Sequence, residues 1–252
     1  MITDDQLLRY SRQVMLSGWD VAGQEKLLSA RVLVIGLGGL GCPVALYLAA
    51  AGVGELVLAD PDRVELTNLQ RQLAHGEEDV GRFKVDSARD SIARVNSETR
   101  VRVLPERLDA QALAREIPDV DLVVDATDSF LARLAINQAC LQAGVPWISG
   151  AAIRSEGQVV VFDPRAESAC YRCLYPEGSS EENLSCSENG VLAPMVGVIG
   201  SLQALEAIKV LADYGKPLVS TLLMIDGWGT QVQRIRLTRD PACPHCSGSE
   251  RD

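Results

Sequence analysis

From Ala30 onward the chain alternates short apolar runs with stretches of helical spacing. "ARVLVIG" predicts a buried strand, and "GCPVALYLAAAG" a helix stopped by Gly52. "ELVLAD" predicts a second strand ending at Asp60. "KVDSARDSIARVN" has the 3.6-residue period of an amphipathic helix. A strand ("VRVLP"), a helix ("DAQALAREI"), a buried strand ("VDLVVDATD") closing at Asp125 and Asp128, a helix ("LARLAINQACLQAG") and a strand ("VPWISG") follow. This βαβα order predicts an α/β fold with a doubly wound, mainly parallel sheet. Upstream, Thr3 and Gln6 form a capping-box signature, so a helix carrying Arg9 and Arg12 is expected to begin there.

The pattern changes after residue 150. "EGQVVVFDP", "STLLMIDGW" and "TQVQRIRLTRD" predict strands added in antiparallel fashion, without helices directly between neighbours. The polar stretch "YPEGSSEENLSCSENG" predicts a mobile loop. "VLAPMVGVIGSLQALEAIKVLADYG" is apolar enough for a membrane, but Pro194, Gln203, Glu206 and Lys209 point to a buried helix instead. With no repeat and no long linker, residues 1–252 are expected to form one domain. Residues 1–150 would be its nucleotide-binding half and residues 151–252 its antiparallel half.

Composition narrows the function. Of 252 residues, 47% are hydrophobic and 23% charged, which allows a large core and argues against overall disorder. The net charge of −10, without a basic run, argues against nucleic acid or an anionic membrane as partner. The first residues lack the apolar core of a secretory signal, so a cytoplasmic protein is expected. In that compartment seven cysteines suit metal binding or chemistry better than disulfides.

Gly36, Gly38 and Gly41 give G-x-G-x-x-G between a strand and a helix, with Asp60 ending the next strand. Such a loop turns tightly, lets a phosphate approach the backbone, and packs the helix close; the acid can accept from ribose hydroxyls. The backbone amides recognise phosphate and not the rest of the molecule, so NAD and ATP both remain open here. "PDRVELTNLQRQ", just after Asp60, adds Asn68 and Arg71, for which a dehydrogenase has no evident need. A triphosphate needs its charge neutralised before an anionic nucleophile can reach the α-phosphorus. Arg71 can fork onto phosphate oxygens, and Lys84 adds a point charge at a helix start. Asp128, at the carboxyl edge of the fourth parallel strand, is suited to hold Mg2+ directly or through water.

Cys170-x-x-Cys173 and Cys243-x-x-Cys246 are two knuckles whose four thiolates can close a structural zinc site, leaving His245 outside the set. Cys42 and Cys140 read as small buried residues, although a helix start could activate Cys42. Cys186 lies in the polar loop, where a thiol can be exposed.

"GLGGLG", "LTNLQRQ", "VGRFKVDSARD", "ATDS", "SGAAIRSEGQ" and "CYRC…CPHC" occur in that order. Together they resemble the MoeB/ThiF family, bacterial relatives of the ubiquitin-activating enzymes, from about residue 5 to residue 246. The resemblance implies a Rossmann-like fold and ATP-dependent adenylation of the C-terminal glycine of a small ubiquitin-fold sulfur carrier. It implies that Gly36, Gly38, Gly39, Gly41, Asp60, Thr67, Asn68, Leu69, Gln70 and Ser129 surround the nucleotide. It also implies that Asn68, Arg71 and Lys84 work on the phosphates, that Asp128 serves the magnesium ion, and that Arg12 reaches the site of the neighbouring subunit of a homodimer. The C-terminal half would bind the carrier. The family often has Asp-Asn where this chain has Asp128-Ser129, and Ser where it has Thr67. Thr67 keeps the hydroxyl; Ser129 leaves that side chain's contact open. Cys186 matches a loop cysteine that in some relatives bonds covalently to the carrier.

"SGAAIRSEGQ" and "GVIGSLQALEAIK" look closer to the MoeB side, so a MoaD-like carrier in molybdopterin synthesis is expected. A ThiS-like carrier in thiamin thiazole synthesis is the alternative. No rhodanese-like extension follows Cys246, so the sulfur donor should be a separate protein. An NAD-dependent oxidoreductase would account for the glycine loop and Asp60 but not for the basic cluster or the knuckles. A noncatalytic scaffold would have no use for Arg71, Lys84 and Asp128.

Overall fold

The computed structural model describes residues 2–177 and 190–247. Strands β1 (Arg31–Ile35), β2 (Glu55–Ala59), β3 (Arg100–Leu104) and β4 (Leu122–Asp125) are parallel and are joined by β5 (Trp147–Ile153), whose first half pairs with β4. Antiparallel β6 (Glu156–Phe162), β7 (Thr221–Asp226) and β8 (Gln231–Arg236) extend the same sheet, in the order β3-β2-β1-β4-β5-β6-β7-β8. One sheet therefore runs through both halves of the chain.

The period-2 rule of a strand places alternate residues on opposite faces. Val32 and Val34 of β1 join a cluster with α4 (Gly41–Ala51), α5 (Lys84–Val95) and α9 (Ala193–Ala212). Leu33 and Ile35 join a second cluster with α6 (Ala110–Glu116) and α7 (Phe130–Ala143). Both faces are covered, which is why the central strands are apolar without alternation.

Three expectations need correction. The N-terminal capping box forms, with the Gln6 amide donating to Thr3 Oγ1 at 3.3 Å, but its helix α1 (Asp4–Arg9) stops at Tyr10. Arg12 sits on a separate turn, α2 (Ser11–Val14), ahead of α3 (Asp20–Ser29). β6 and β7 are antiparallel neighbours, yet α8 (Tyr171–Leu174) and α9 lie between them in the chain. α9 starts near the carboxyl edge of the parallel strands. It ends beside α3, where Lys26 Nζ donates to the Ala212 carbonyl at 2.9 Å, so it returns the chain to the edge at which β6 stopped. Finally, β4 ends at Asp125, and Asp128 lies beyond it in a loop. The loop expected to be mobile falls largely on residues 178–189, outside the described residues.

By length and hydropathy α9 alone, among the described residues, could cross a membrane, but it packs on α4, β5 and β6. Its polar residues explain the preference for protein. Gln203 donates to the Asp125 carbonyl at 2.6 Å, and Glu206 accepts from the Leu218 amide at 2.7 Å.

Gly41 shows how the glycine loop and α4 are joined. A Cβ there would lie 1.8 Å from the Gly36 carbonyl oxygen. Backbone cannot rotate away as a side-chain tip can, so Gly41→Ala should force the loop off α4 at a cost of roughly 2 kcal/mol or more. The expected result is a melting temperature lowered by about 5 °C or more in thermal denaturation.

Candidate active site

The order of the sheet reverses at β1, whose neighbours are β2 and β4. At such a switch point the connecting helices diverge and leave a crevice at the carboxyl ends of the strands. A cavity of about 620 Å³ opens there, lined by the turns after β1, β2 and β4. Gly36 turns the chain out of β1 with φ +93°; a Cβ on it would stand 2.7 Å from the Ala126 carbonyl oxygen. Gly38 and Gly39 line the cavity. Among the described residues, neither of their N–H groups donates to a protein acceptor, which leaves them for an anion.

Asp60 ends the chain's exit from β2 and is buried. Its Oδ2 accepts from the Leu37 amide at 2.6 Å and its Oδ1 from the Asp62 amide at 2.8 Å. Each oxygen keeps a lone pair for a hydroxyl at the cavity. Burial raises its pKa above the ordinary carboxylate value, while the Lys84 charge opposes that rise.

Asn68, Gln70, Arg71 and Lys84 line the same cavity. Lys84 opens α5 with its side chain 8% exposed, and its ammonium meets Asp62 Oδ2 at 2.8 Å. Arg71 Nη1 donates to the Thr67 carbonyl at 3.2 Å, anchoring the guanidinium by one nitrogen only. Asn68 Oδ1 accepts from the Glu65 amide at 3.2 Å and so braces its own turn. Asp128 is exposed at the cavity wall on the loop after β4. That loop is held from both sides. Asp125 Oδ1 accepts from the amide and hydroxyl of Thr127 at 3.0 and 2.7 Å, and Arg133 Nη2 donates to the Thr127 carbonyl at 2.6 Å. Ser129 lines the cavity while its hydroxyl caps α7 by accepting from the Ala132 amide at 3.3 Å.

Three residues expected around the nucleotide stand elsewhere. Gly41 lies behind the loop, pressed on Gly36. Thr67 is exposed and its hydroxyl donates to Glu65 Oε2 at 3.3 Å, and neither Thr67 nor Leu69 lines the cavity, because the tight turn at Leu66–Asn68 directs them away. Arg12, expected at the site of a neighbouring subunit, lies outside this cavity in a groove with Tyr47 of α4 and Leu205 of α9.

Three further residues line the cavity and a fourth stands behind it, none of them named by the sequence reading. Arg63 lines the cavity with its guanidinium carbon 3.9 Å from the Phe83 ring centroid, a cation–π contact. Gln72 is buried at the cavity, and its Oε1 has no partner among the described residues. Arg133 is nine-tenths buried, with Nε 3.4 Å from Asp125 Oδ2. His75 is buried behind the loop. Arg63 lay inside the run already singled out, and proximity to Arg71 could have found it. Gln72 ends the same run, next to Arg71; His75 and Arg133 carry no signal without the fold.

Beside α7 the two knuckles meet. Cys170 Sγ lies 3.9 Å from Cys173 Sγ and 3.7 Å from Cys243 Sγ, and Cys173 Sγ lies 3.5 Å from Cys246 Sγ. All four sulfurs are within 4.8 Å of one another. Tetrahedral sulfurs around a zinc at ~2.3 Å would stand ~3.8 Å apart, so the cage fits that ion. Burial pushes the Cys246 thiol up to about 11 and raises Cys170 further, a penalty that a divalent cation among the sulfurs would reverse. His245 is not part of the cluster. Burial raises Cys42 to about 12 and Cys140 beyond it, so both are held as thiols. Cys186 lies outside the described residues.

Known proteins are similar to this chain over nearly its whole length. A molybdopterin-synthase adenylyltransferase of Salmonella typhimurium is 50% identical over 245 residues, covering 97% of this chain and 98% of its own length. A sulfur carrier protein ThiS adenylyltransferase of Escherichia coli is 43% identical over 251 residues, covering 100% and 99%. Among solved structures, Escherichia coli MccB with ATP superposes with a TM-score of 0.84 at 28% identity, covering 94% of this chain and 73% of that one. The ThiF family model matches residues 10–245, and the chain belongs to the ThiF family.

Proposed function

We propose that this protein is an adenylyltransferase that joins AMP from ATP to the C-terminal glycine carboxylate of a small ubiquitin-fold sulfur carrier. The observation that carries the reading is the cavity itself. The glycine loop, Asn68, Arg71, Lys84 and Asp128 come from separate segments and line one wall system. The activities named for the similar adenylyltransferases from Salmonella and Escherichia coli support it.

The glycine loop would hold the phosphates and Asp60 the ribose. The carrier's carboxylate oxygen attacks the α-phosphorus in line; the bond from that phosphorus to the bridging oxygen breaks, and pyrophosphate leaves with its electron pair. The nucleophile is already an anion, so no base is required. Catalysis is then placement and neutralisation of charge by Arg71 and Lys84. Asp128 would hold a magnesium ion, whose charge screens the triphosphate. Arg12, exposed and outside this cavity, would reach the corresponding site of a second copy in a homodimer. The four-cysteine cage would hold zinc with no open position, a structural role. The C-terminal half would receive the carrier, and a separate sulfur donor would attack the acyl-adenylate.

A MoaD-like carrier is the primary reading, because the Salmonella relative, a molybdopterin-synthase adenylyltransferase, is more similar than the ThiS adenylyltransferase. The test is to incubate the protein with MgATP and each purified carrier and to weigh the product. A mass gain of one AMP on the MoaD-like carrier is expected. A gain only on the ThiS-like carrier would move the pathway. Hydride transfer to NAD with no adenylate on either carrier would replace the reading by an oxidoreductase.

Cys186→Ala separates two steps. Attack of a carboxylate on phosphorus has no use for a thiol, so acyl-adenylate formation should remain within about twofold of wild type, while transfer of sulfur to the carrier is free to fall. In the sequence, Glu188 stands two residues from Cys186 and neither neighbour of Cys186 is Lys or Arg. Collapse of adenylate formation in a folded variant would refute the division.

A further inference from the structure

Leu37, the residue between Gly36 and Gly38, is held at both of its backbone polar groups. Its N–H donates to Asp60 Oδ2 at 2.6 Å. Its carbonyl faces the buried side, where His75 Nε2 stands at 3.1 Å and Cys42 Sγ at 3.4 Å. A carbonyl oxygen only accepts, so the contact makes Nε2 the donating nitrogen. His75 is 7% exposed, and its other nitrogen, Nδ1, lies 2.8 Å from Ser87 Oγ on α5. With Nε2 as the donor of a neutral ring, Nδ1 is left as an acceptor facing the Ser87 hydroxyl, which also bonds the Asp79 carboxylate. Burial lowers the histidine's pKa, which agrees with that neutral form. The thiol of Cys42, kept protonated by burial, is a second and weaker donor to the same oxygen.

The consequence comes from the planarity of the peptide. In a trans peptide the C=O of Leu37 and the N–H of Gly38 lie in one plane and point in opposite directions. Holding the carbonyl toward the buried His75 therefore turns the Gly38 N–H away from it, and Gly38 lines the cavity. Gly38 has no Cβ to restrain its own backbone, so the orientation must come from outside the residue. Without that bond, a flip of this one peptide between the anchored Leu37 N–H and Gly38 carbonyl would turn the Gly38 N–H away from an incoming phosphate.

We propose that His75 is a positioning residue for nucleotide binding: through Nε2–H and the Leu37 carbonyl it aims the Gly38 N–H at a phosphate oxygen of the nucleotide. This rests on the assignment of the cavity to ATP. It predicts a dependence on the position of the donor and not on polarity alone. A glutamine side chain can bring an N–H to about the place of Nε2, whereas an asparagine amide falls near Nδ1, and leucine offers none.

MgATP affinity is measured by calorimetry for wild type, His75→Gln, His75→Asn and His75→Leu, alongside melting temperature without nucleotide. An oriented hydrogen bond to a charged group accounts for about tenfold in affinity or more. His75→Asn and His75→Leu should therefore bind MgATP at least about tenfold more weakly, and His75→Gln within about threefold of wild type. Should the leucine variant not fold, the glutamine and asparagine pair decides, since both replace the ring with an amide. Equal affinities for those two would overturn the role of His75, as would losses that simply track melting temperature. Failure of the wild type to bind MgATP would instead overturn the assignment of the cavity.

Discussion

Lys84→Ala and Arg71→Ala should each lower carrier-dependent ATP–pyrophosphate exchange by about 100-fold or more, with the fold intact. The two cations stand on different supports. Lys84 is largely buried at the start of α5 and its ammonium is tied to Asp62 at 2.8 Å. Arg71 projects from the turn after Asn68, steadied by the Thr67 carbonyl. Charge placed before the reaction costs no reorganisation as pyrophosphate departs, and removal of one such group commonly costs two to three orders of magnitude. Lys84→Ala also strips Asp62 of its partner, but that carboxylate is 62% exposed and water can take over. The loss should fall mainly on the rate of exchange, since a charge that matters most while the phosphorus is under attack lowers kcat more than ground-state binding. Near-normal exchange in both variants would falsify the assignment of these residues.

Cys173→Ser should cost the protein its metal and much of its thermal stability. The cage draws on Cys170 and Cys173 beside α8 and on Cys243 and Cys246 after β8. It therefore joins segments on either side of α9 and pins the chain that follows β8. Its own apolar support is slight, with Leu141 packed against the cluster. Metal binding to such thiolates is folding free energy for the segments that carry them. Native protein purified without chelator should contain one zinc per chain by metal analysis, and Cys173→Ser much less. A melting temperature lower by about 10 °C is expected, equivalent to a few kcal/mol in a chain of this size. Zinc absent from the native protein, or undiminished stability in the variant, would remove the structural role. Adenylation by the variant at low temperature should persist, because none of the four cysteines lines the cavity.

What was legible in the sequence is what short-range periodicity and local chemistry encode. The runs from "ARVLVIG" to "VPWISG" place every parallel strand: the central ones, buried on both faces, are continuously apolar, the edge strand β3 alternates, and the crossovers repeat every 3.6 residues. Gly52 and Gly144 end their helices in the left-handed conformation, as isolated glycines after a periodic segment predict. Gly36, Asp60, Arg71 and Lys84 were legible for a related reason. A parallel α/β sheet sends every βα turn to one edge, so residues just past successive strands must gather there. The four cysteines were legible because paired knuckles have few other uses.

Only the tertiary structure decided the rest. Asp128 lies beyond β4, and the Asp125–Thr127–Arg133 bonds that hold its loop join residues from a strand, a turn and a helix. Thr67 and Leu69 belong to a motif that lines the cavity, yet a turn of three residues points them out of it. No spacing rule says which side of so tight a turn meets the ligand. His75 reads in sequence as one histidine in a polar run, and its meaning depends on Leu37, 38 residues earlier, and Ser87, 12 residues later. Periodicity reports which face of an element is buried. It is silent on which polar atoms meet once separate elements are packed, because those contacts are set by the sum of all the packing and not by any local stretch of chain.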